Sequence, residues 1–215
     1  MLGIVTGLAA EARIARGLGT VAVGGGFPTG AEAAAQWLVA QGATALLSFG
    51  LAGGLDPALR PGRLFVPAAV LEAGRAYPTD AALLARFGLV AHGVLLAGDA
   101  VVAEATAKDA LWRATGAQAI DLESGAVAST AAVHGLPFAV VRAVCDPAER
   151  SLPPAALLAL DGGGAVGLWR VLRSVALGPG QAPGLLALAR DAGRAQETLV
   201  RFTKAHPVYA EAPST

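Results

Sequence analysis

The chain has 215 residues, 54% of them hydrophobic and 15% charged, which is enough apolar material for the core of one good-sized domain. Its 16 basic and 16 acidic residues cancel without forming a lysine or arginine cluster, which argues against a nucleic-acid partner and for a small neutral or weakly charged ligand. The single cysteine, Cys145, excludes an internal disulfide framework and suits a reducing cytoplasm.

The first residues, Met1-Leu2-Gly3-Ile4-Val5, have no basic region ahead of them and break at Gly7, so they read as neither signal peptide nor anchor. No apolar run reaches the length of a membrane span. Residues 3–6 predict a strand and 8–16, a run of strong helix formers, a helix. Residues 21–23 predict a second strand, entering the glycine-rich stretch 24–30, and 31–41 a second helix. A third strand over 45–49 delivers Gly50-Leu51-Ala52-Gly53-Gly54, which reads as a turn that lets backbone approach a flat or anionic group. Strand pieces at 63–66 and 69–72 follow among Pro57, Pro61-Gly62 and Pro67. Then come a helix over 79–87, a strand over 94–97 ending at Gly98-Asp99, and a helix over 104–115 that stops at Gly116.

Asp121-Leu122-Glu123-Ser124 opens a small-residue helix over 125–133, and Gly135 supplies its left-handed cap. Pro137 bars further helix. Residues 138–144, apolar except for Arg142, predict a strand buried on both faces that ends at Asp146-Pro147. Residues 153–160, 165–175 and 183–204 read as helices, and from Pro207 the chain reads as a loose tail. There is no repeat and no linker. The alternation predicts one α/β domain over 1–206, three layers deep around a parallel or mixed sheet, with 207–215 as the tail.

Candidate chemistry narrows by elimination. The glycine stretches contain neither G-x-G-x-x-G nor G-x-x-x-x-G-K-[ST], so dinucleotide and P-loop cofactors lose their support. His92, His134 and His206 stand apart from one another and from Cys145, which argues against a metal. Cys145 closes an apolar strand as a small hydrophobe would, and no G-x-S-x-G elbow occurs. Three acids remain at strand exits or helix entries in apolar surroundings: Glu11, Glu123 and Asp146. Each alone reads as a helix-end charge. Together, in low-polarity surroundings, they must be paired, hydrated or used, and Arg142 needs a partner for the same reason.

Gly50-Leu51-Ala52-Gly53-Gly54 with Pro61-Gly62, then Gly98-Asp99, Asp121-Leu122-Glu123-Ser124 and Val141-Arg142-Ala143-Val144-Cys145-Asp146 resemble the purine nucleoside phosphorylase and nucleosidase superfamily. The order and spacing are most similar to its methylthioadenosine/S-adenosylhomocysteine nucleosidases. The wording of 48–57 and 142–148 resembles the hopanoid-associated phosphorylases, thought to remove adenine from adenosylhopane. The resemblance runs from the first strand to about Val175.

It implies a three-layer α/β/α domain on a nucleoside phosphorylase-like mixed sheet, and cleavage of the N-glycosidic bond of a 5'-substituted adenosine. Asp146 would protonate N7 of the purine, Glu123 grip the ribose hydroxyls, and Glu11 position the attacking water, with Arg142 on the nucleophile's side. Leu122 would pack under the ribose, Asp121 belong to the substrate-binding set, and Leu51, Ala52, Gly53 and Gly54 lie along the nucleoside. No metal and no cofactor is implied, apart from phosphate as the alternative to water. A cytoplasmic homodimer or larger homo-oligomer is expected, with no stable membrane anchor.

Two departures bear on the nucleophile. Leu51 stands where the nucleosidases carry a serine, and no arginine appears in 24–30. Glu11 would repel phosphate and orient water, so the residues favour hydrolysis. Phosphorolysis is the alternative, and purine binding without chemistry the second.

Overall fold

The computed structural model describes residues 1–154, 156, 180 and 182–206. Most of the helix expected over 153–160, the whole of that over 165–175, and the tail from Pro207 lie outside these residues. Among the described residues nine strands form one mixed sheet: β1 (Leu2–Thr6), β2 (Thr20–Val23), β3 (Ala45–Gly54), β4 (Leu64–Phe65), β5 (Ala69–Glu72), β6 (Arg75–Pro78), β7 (Val94–Ala97), β8 (Ala119–Asp121) and β9 (Phe138–Asp146). The described helices are α1 (Ala9–Ala15), α2 (Pro28–Ala40), α3 (Ala81–Ala85), α4 (Ala105–Thr115), α5 (Ser124–His134) and α6 (Ala182–Ala205).

The sheet runs β2-β1-β3-β8-β7-β5-β6, and β9 pairs with β3 and carries β4. β3 is the branch point. β9 follows it in parallel from Leu46 to Gly53, β1 pairs with it in parallel at Leu2–Val5, and β8 meets its end antiparallel at Gly53 and Gly54. One edge of β3 is thus handed from β1 to β8, leaving residues 49–52 free of a strand partner on that edge. Such switch points open crevices at strand carboxyl ends.

Strand alternation divides the core into two faces. Leu46, Val140 and Val144 pack with Ala31, Ala35 and Leu38 of α2 and Val127, Ala128 and Ala131 of α5. Leu47, Phe49, Ala139 and Val141 pack with Ala15 of α1, Leu83 and Leu84 of α3, and Ala195, Leu199 and Phe202 of α6. Helices therefore cover both sides, as a three-layer reading requires.

Three expectations change. Gly50 to Gly54 is the second half of a ten-residue strand and not a turn. α2 begins at Pro28, three residues before the expected start, because proline is pre-organised for the first helical position. A strand absent from the sequence reading, β6, closes a hairpin on β5 through Ala73 (φ 47°) and Gly74 (φ 80°), the two left-handed residues that tight hairpins use.

Candidate active site

Position 142 belongs to the same face of β9 as Val140 and Val144, so the strand places an arginine where the α5 side of the core would take an aliphatic residue. Arg142 is 1% exposed. Its Nη2 reaches Asp121 Oδ2 at 2.5 Å and Glu123 Oε2 at 3.2 Å, and donates to Ser48 Oγ at 2.8 Å and Ser124 Oγ at 3.1 Å. Nη1 lies 3.4 Å from the Leu51 carbonyl, and Nε has no partner. Ser48 and Ser124, which the sequence reading did not single out, also bond each other at 3.0 Å.

The carboxylates around that guanidinium divide their work. Asp121 Oδ1 accepts from the Ser124 amide at 3.0 Å and Oδ2 from the Ser124 hydroxyl at 2.5 Å, so Asp121 caps α5 and anchors Arg142. Its position is structural, inside the ion pair. Glu123 occupies the cap position of α5 itself but makes no cap hydrogen bond with its side chain. That leaves its carboxylate directed at Arg142 and at the end of β1, where a Cβ on Gly7 would collide with it. Glu11 is also buried. Its Oε2 accepts from the Leu8 amide at 2.8 Å, closing the first turn of α1, and its Oε1 from the Leu51 amide at 2.9 Å. The second bond uses the stretch of β3 left unpaired at the branch point.

Gly50 sits between these groups. A Cβ there would stand 2.6 Å from Arg142 Nη1 and 2.7 Å from Glu11 Oε1, so only glycine lets the strand pass. The side chain of Leu51 packs half-buried with the α1 and α6 side, while Ala52 is buried in the α2 and α5 core. Leu122 is half-buried beside Glu123.

Asp146 lies at the end of β9. The register slips between Ala52 and Gly53, so that Gly53 pairs with Asp146 while Ala52 pairs with Val144. The bulge leaves Cys145 unopposed and re-aims Asp146. A Cβ on Gly53 would stand 3.1 Å from Asp146 Oδ1, and one on Gly54 3.0 Å from the Asp146 carbonyl, so both glycines make room for this corner. Asp146 Oδ2 is held by a residue that sequence reasoning missed, Lys108 of α4, whose ammonium is itself buried.

Three carboxylates surround one guanidinium, and this sets the electrostatics. Burial, together with Asp121 and Glu11, pushes the Glu123 carboxyl up to about 7 against the pull of Arg142. Burial alone would lower the Arg142 guanidinium, but Asp121, Glu123 and Glu11 outweigh it and raise it. Burial and the neighbouring Asp146 push the Cys145 thiol well up, which keeps it a neutral hydrophobe and no nucleophile.

Among the described residues no group of three or more His, Cys, Asp or Glu could hold a metal ion, and no helix is long and apolar enough to cross a membrane. A cleft of about 300 Å³ lined by Tyr77, Asp80, Ala131, Leu136 and Phe138 lies at the opposite, amino end of β9, away from the acids.

Residues 75–159 match the family model of the phosphorylase superfamily. No curated protein matches the sequence. Among solved structures, the futalosine hydrolase of Helicobacter pylori superposes with a TM-score of 0.70 at 16% identity, covering 95% of both chains. The 5'-methylthioadenosine/S-adenosylhomocysteine nucleosidase of the same organism gives 0.70 at 16%, covering 95% of this chain and 96% of its own. An S-adenosylhomocysteine nucleosidase of Streptococcus pyogenes gives 0.63 at 19%, covering 96% and 97%. The match over 75–159 covers less than half of the chain, and the likeness to these nucleosidases and to futalosine hydrolase is one of fold.

Proposed function

We propose that the chain is a nucleosidase that cleaves the N-glycosidic bond of a 5'-substituted adenosine, releasing adenine with water as the nucleophile. The observation that carries this reading is the buried set of Glu11, Asp121 and Glu123 around the single guanidinium of Arg142. Cleaving a ribosyl C–N bond leaves an electron-poor sugar and an electron-rich base. Fixed negative charge stabilises the first and a proton the second. Glu123, with a carboxylate free of capping duty, would grip the ribose hydroxyls. Asp146, at the far end of the same strand as Arg142, would serve N7.

Water is favoured over phosphate by charge. Phosphorolysis needs several donors around an oxyanion. Arg142 is already committed to carboxylates, and Arg13 and Arg16, the guanidiniums of α1 and its cap, are exposed. Glu11, fixed by two backbone amides, presents an acceptor where a phosphate would have to enter. The names of similar structures, methylthioadenosine/S-adenosylhomocysteine nucleosidase and futalosine hydrolase, support a hydrolytic reading. Methylthioadenosine, S-adenosylhomocysteine and adenosylhopane are the substrates to try, in a homodimer or larger assembly. Incubation of each with and without phosphate, and identification of the sugar product, tests the reading. Free pentose with or without phosphate is expected; a pentose 1-phosphate formed only when phosphate is present would establish phosphorolysis instead.

A further inference from the structure

Lys108 is 1% exposed, and its Nζ meets three acceptors: Asp146 Oδ2, the Pro147 carbonyl at 3.2 Å and the Arg150 carbonyl at 3.1 Å. Three acceptors take three N–H donors. An ammonium has three and a neutral amine only two, so the resting lysine is charged. Its carboxyl partner is then an ionised carboxylate, since a buried cation needs a counter-charge. This creates a problem for the proposed chemistry. A resting carboxylate has no proton to give to a departing purine.

The neighbours narrow where that proton originates. Cys145 Sγ lies 3.5 Å from Asp146 Oδ1, but burial and the adjacent carboxylate make its thiol hold its proton. Glu11, the next charged group across β9, acts on Cys145 and is an acceptor. On the loop after β9, Glu149 is engaged by Arg60, and Arg150 by Asp191 of α6. At the start of α4, Glu104 accepts from Ser151. β3 presents only Gly53 and Gly54 to this corner.

We propose that Lys108 is a positioning residue that also supplies the proton Asp146 passes to the leaving base. The proposal rests on the nucleosidase reading. As the C1'–N9 bond breaks, its electron pair goes to the purine, Nζ passes a proton to Asp146, and the carboxyl so formed hands it on to N7. Lys108 ends as a neutral amine and Asp146 as the carboxylate it was at rest. The base departs as neutral adenine. Water adds to C1' and gives its proton to Glu11, and exchange with solvent resets both groups. The two carbonyls on Nζ aim the remaining N–H bonds away from Asp146, which fixes the third on Oδ2, the oxygen that carries the relayed proton.

Two substitutions separate proton supply from mere charge, with methylthioadenosine as the probe. Lys108→Arg keeps a cation beside Asp146 but cannot be deprotonated, and should lower kcat by ~10²-fold or more, the usual effect of a positioned acid. Lys108→Met should move the alkaline limb of kcat/KM to lower pH, because Asp146 must then take its proton from solvent. If circular dichroism shows that Lys108→Met does not fold, Lys108→Gln replaces it in the same measurement. Lys108→Arg turning over at the wild-type kcat, or an uncharged variant with an unmoved alkaline limb, overturns the assignment while leaving the nucleosidase reading intact. Wild-type protein that releases adenine from none of the adenosyl nucleosides overturns the reading itself.

Discussion

At the level of single residues, Asp121 and Glu123 stand two positions apart and do opposite things. Asp121 commits both oxygens to Ser124 and Arg142, whereas Glu123 leaves the helix end uncapped by its own side chain and keeps a costly buried carboxylate. In the proposed reading Asp146 is the acid that serves the leaving base. Asp146→Asn keeps the shape and a weak partner for Lys108 but removes the acid, and should slow adenine release ~10²–10⁴-fold, or ~3–5 kcal/mol of barrier. Single-turnover release at the wild-type rate would rule this out. That Glu11, Glu123 and Arg142 would be neighbours was legible, because acids and a lone arginine in apolar surroundings demand partners; Asp146 instead pairs with Lys108. Lys108 was not legible. It sits 38 residues before Asp146 in a segment whose lysine reads as the solvated face of a helix, and its burial is created by the loop after β9 folding over α4. One faint signal exists: the chain has only two lysines, Lys108 and Lys204, so each is a departure from its habit of using arginine.

At the level of elements, the glycines of β3 were read as a turn because glycine ordinarily frees the backbone. Here their missing side chains serve tertiary neighbours: Arg142 and Glu11 beside Gly50, and Asp146 beside Gly53 and Gly54. Nothing local in the sequence distinguishes the two uses. Gly50→Ala should therefore force the Glu11 and Arg142 side chains apart. The expected cost is about 1–3 kcal/mol in urea unfolding, the range for overpacking, with a fall in adenine release beyond what that loss explains. Gly17→Ala, where a Cβ meets nothing within 4 Å, is the control and should behave as wild type. The β5–β6 hairpin was missed for a related reason. Ala73-Gly74 puts an alanine at a left-handed position that Asn or Asp usually marks, so the turn lacked its signature. The helices and the buried strand β9 were legible because hydrophobic period and caps coincide there, as at Gly116 and Gly135, both left-handed.

For the whole molecule, the site is a standing charge imbalance inside the core, and it should appear in the pH dependence of folding. The Glu123 carboxyl rises from 4.5 to about 7 on folding, chiefly by burial. Between those values the folded chain binds a proton that the unfolded chain does not, so stability from this group falls as pH rises. Its contribution is fully present below about 4.5 and lost above about 7. The shift corresponds to ~3 kcal/mol at 1.36 kcal/mol per unit. Glu123→Gln removes the titration and leaves every other group of the cluster in place. Urea unfolding at pH 5 and pH 8 should thus show wild-type stability declining relative to the variant by up to that amount. Parallel pH curves for the two proteins would mean that Arg142 neutralises Glu123 fully and that no spare negative charge awaits the sugar. The same imbalance predicts the direction of coupling to a ligand. Ribose hydroxyls donating to Glu123 favour its ionised form, so nucleoside binding near pH 7 should release a proton, measurable as a buffer-dependent heat in calorimetry. Proton uptake on binding would contradict the assignment of Glu123 to the sugar.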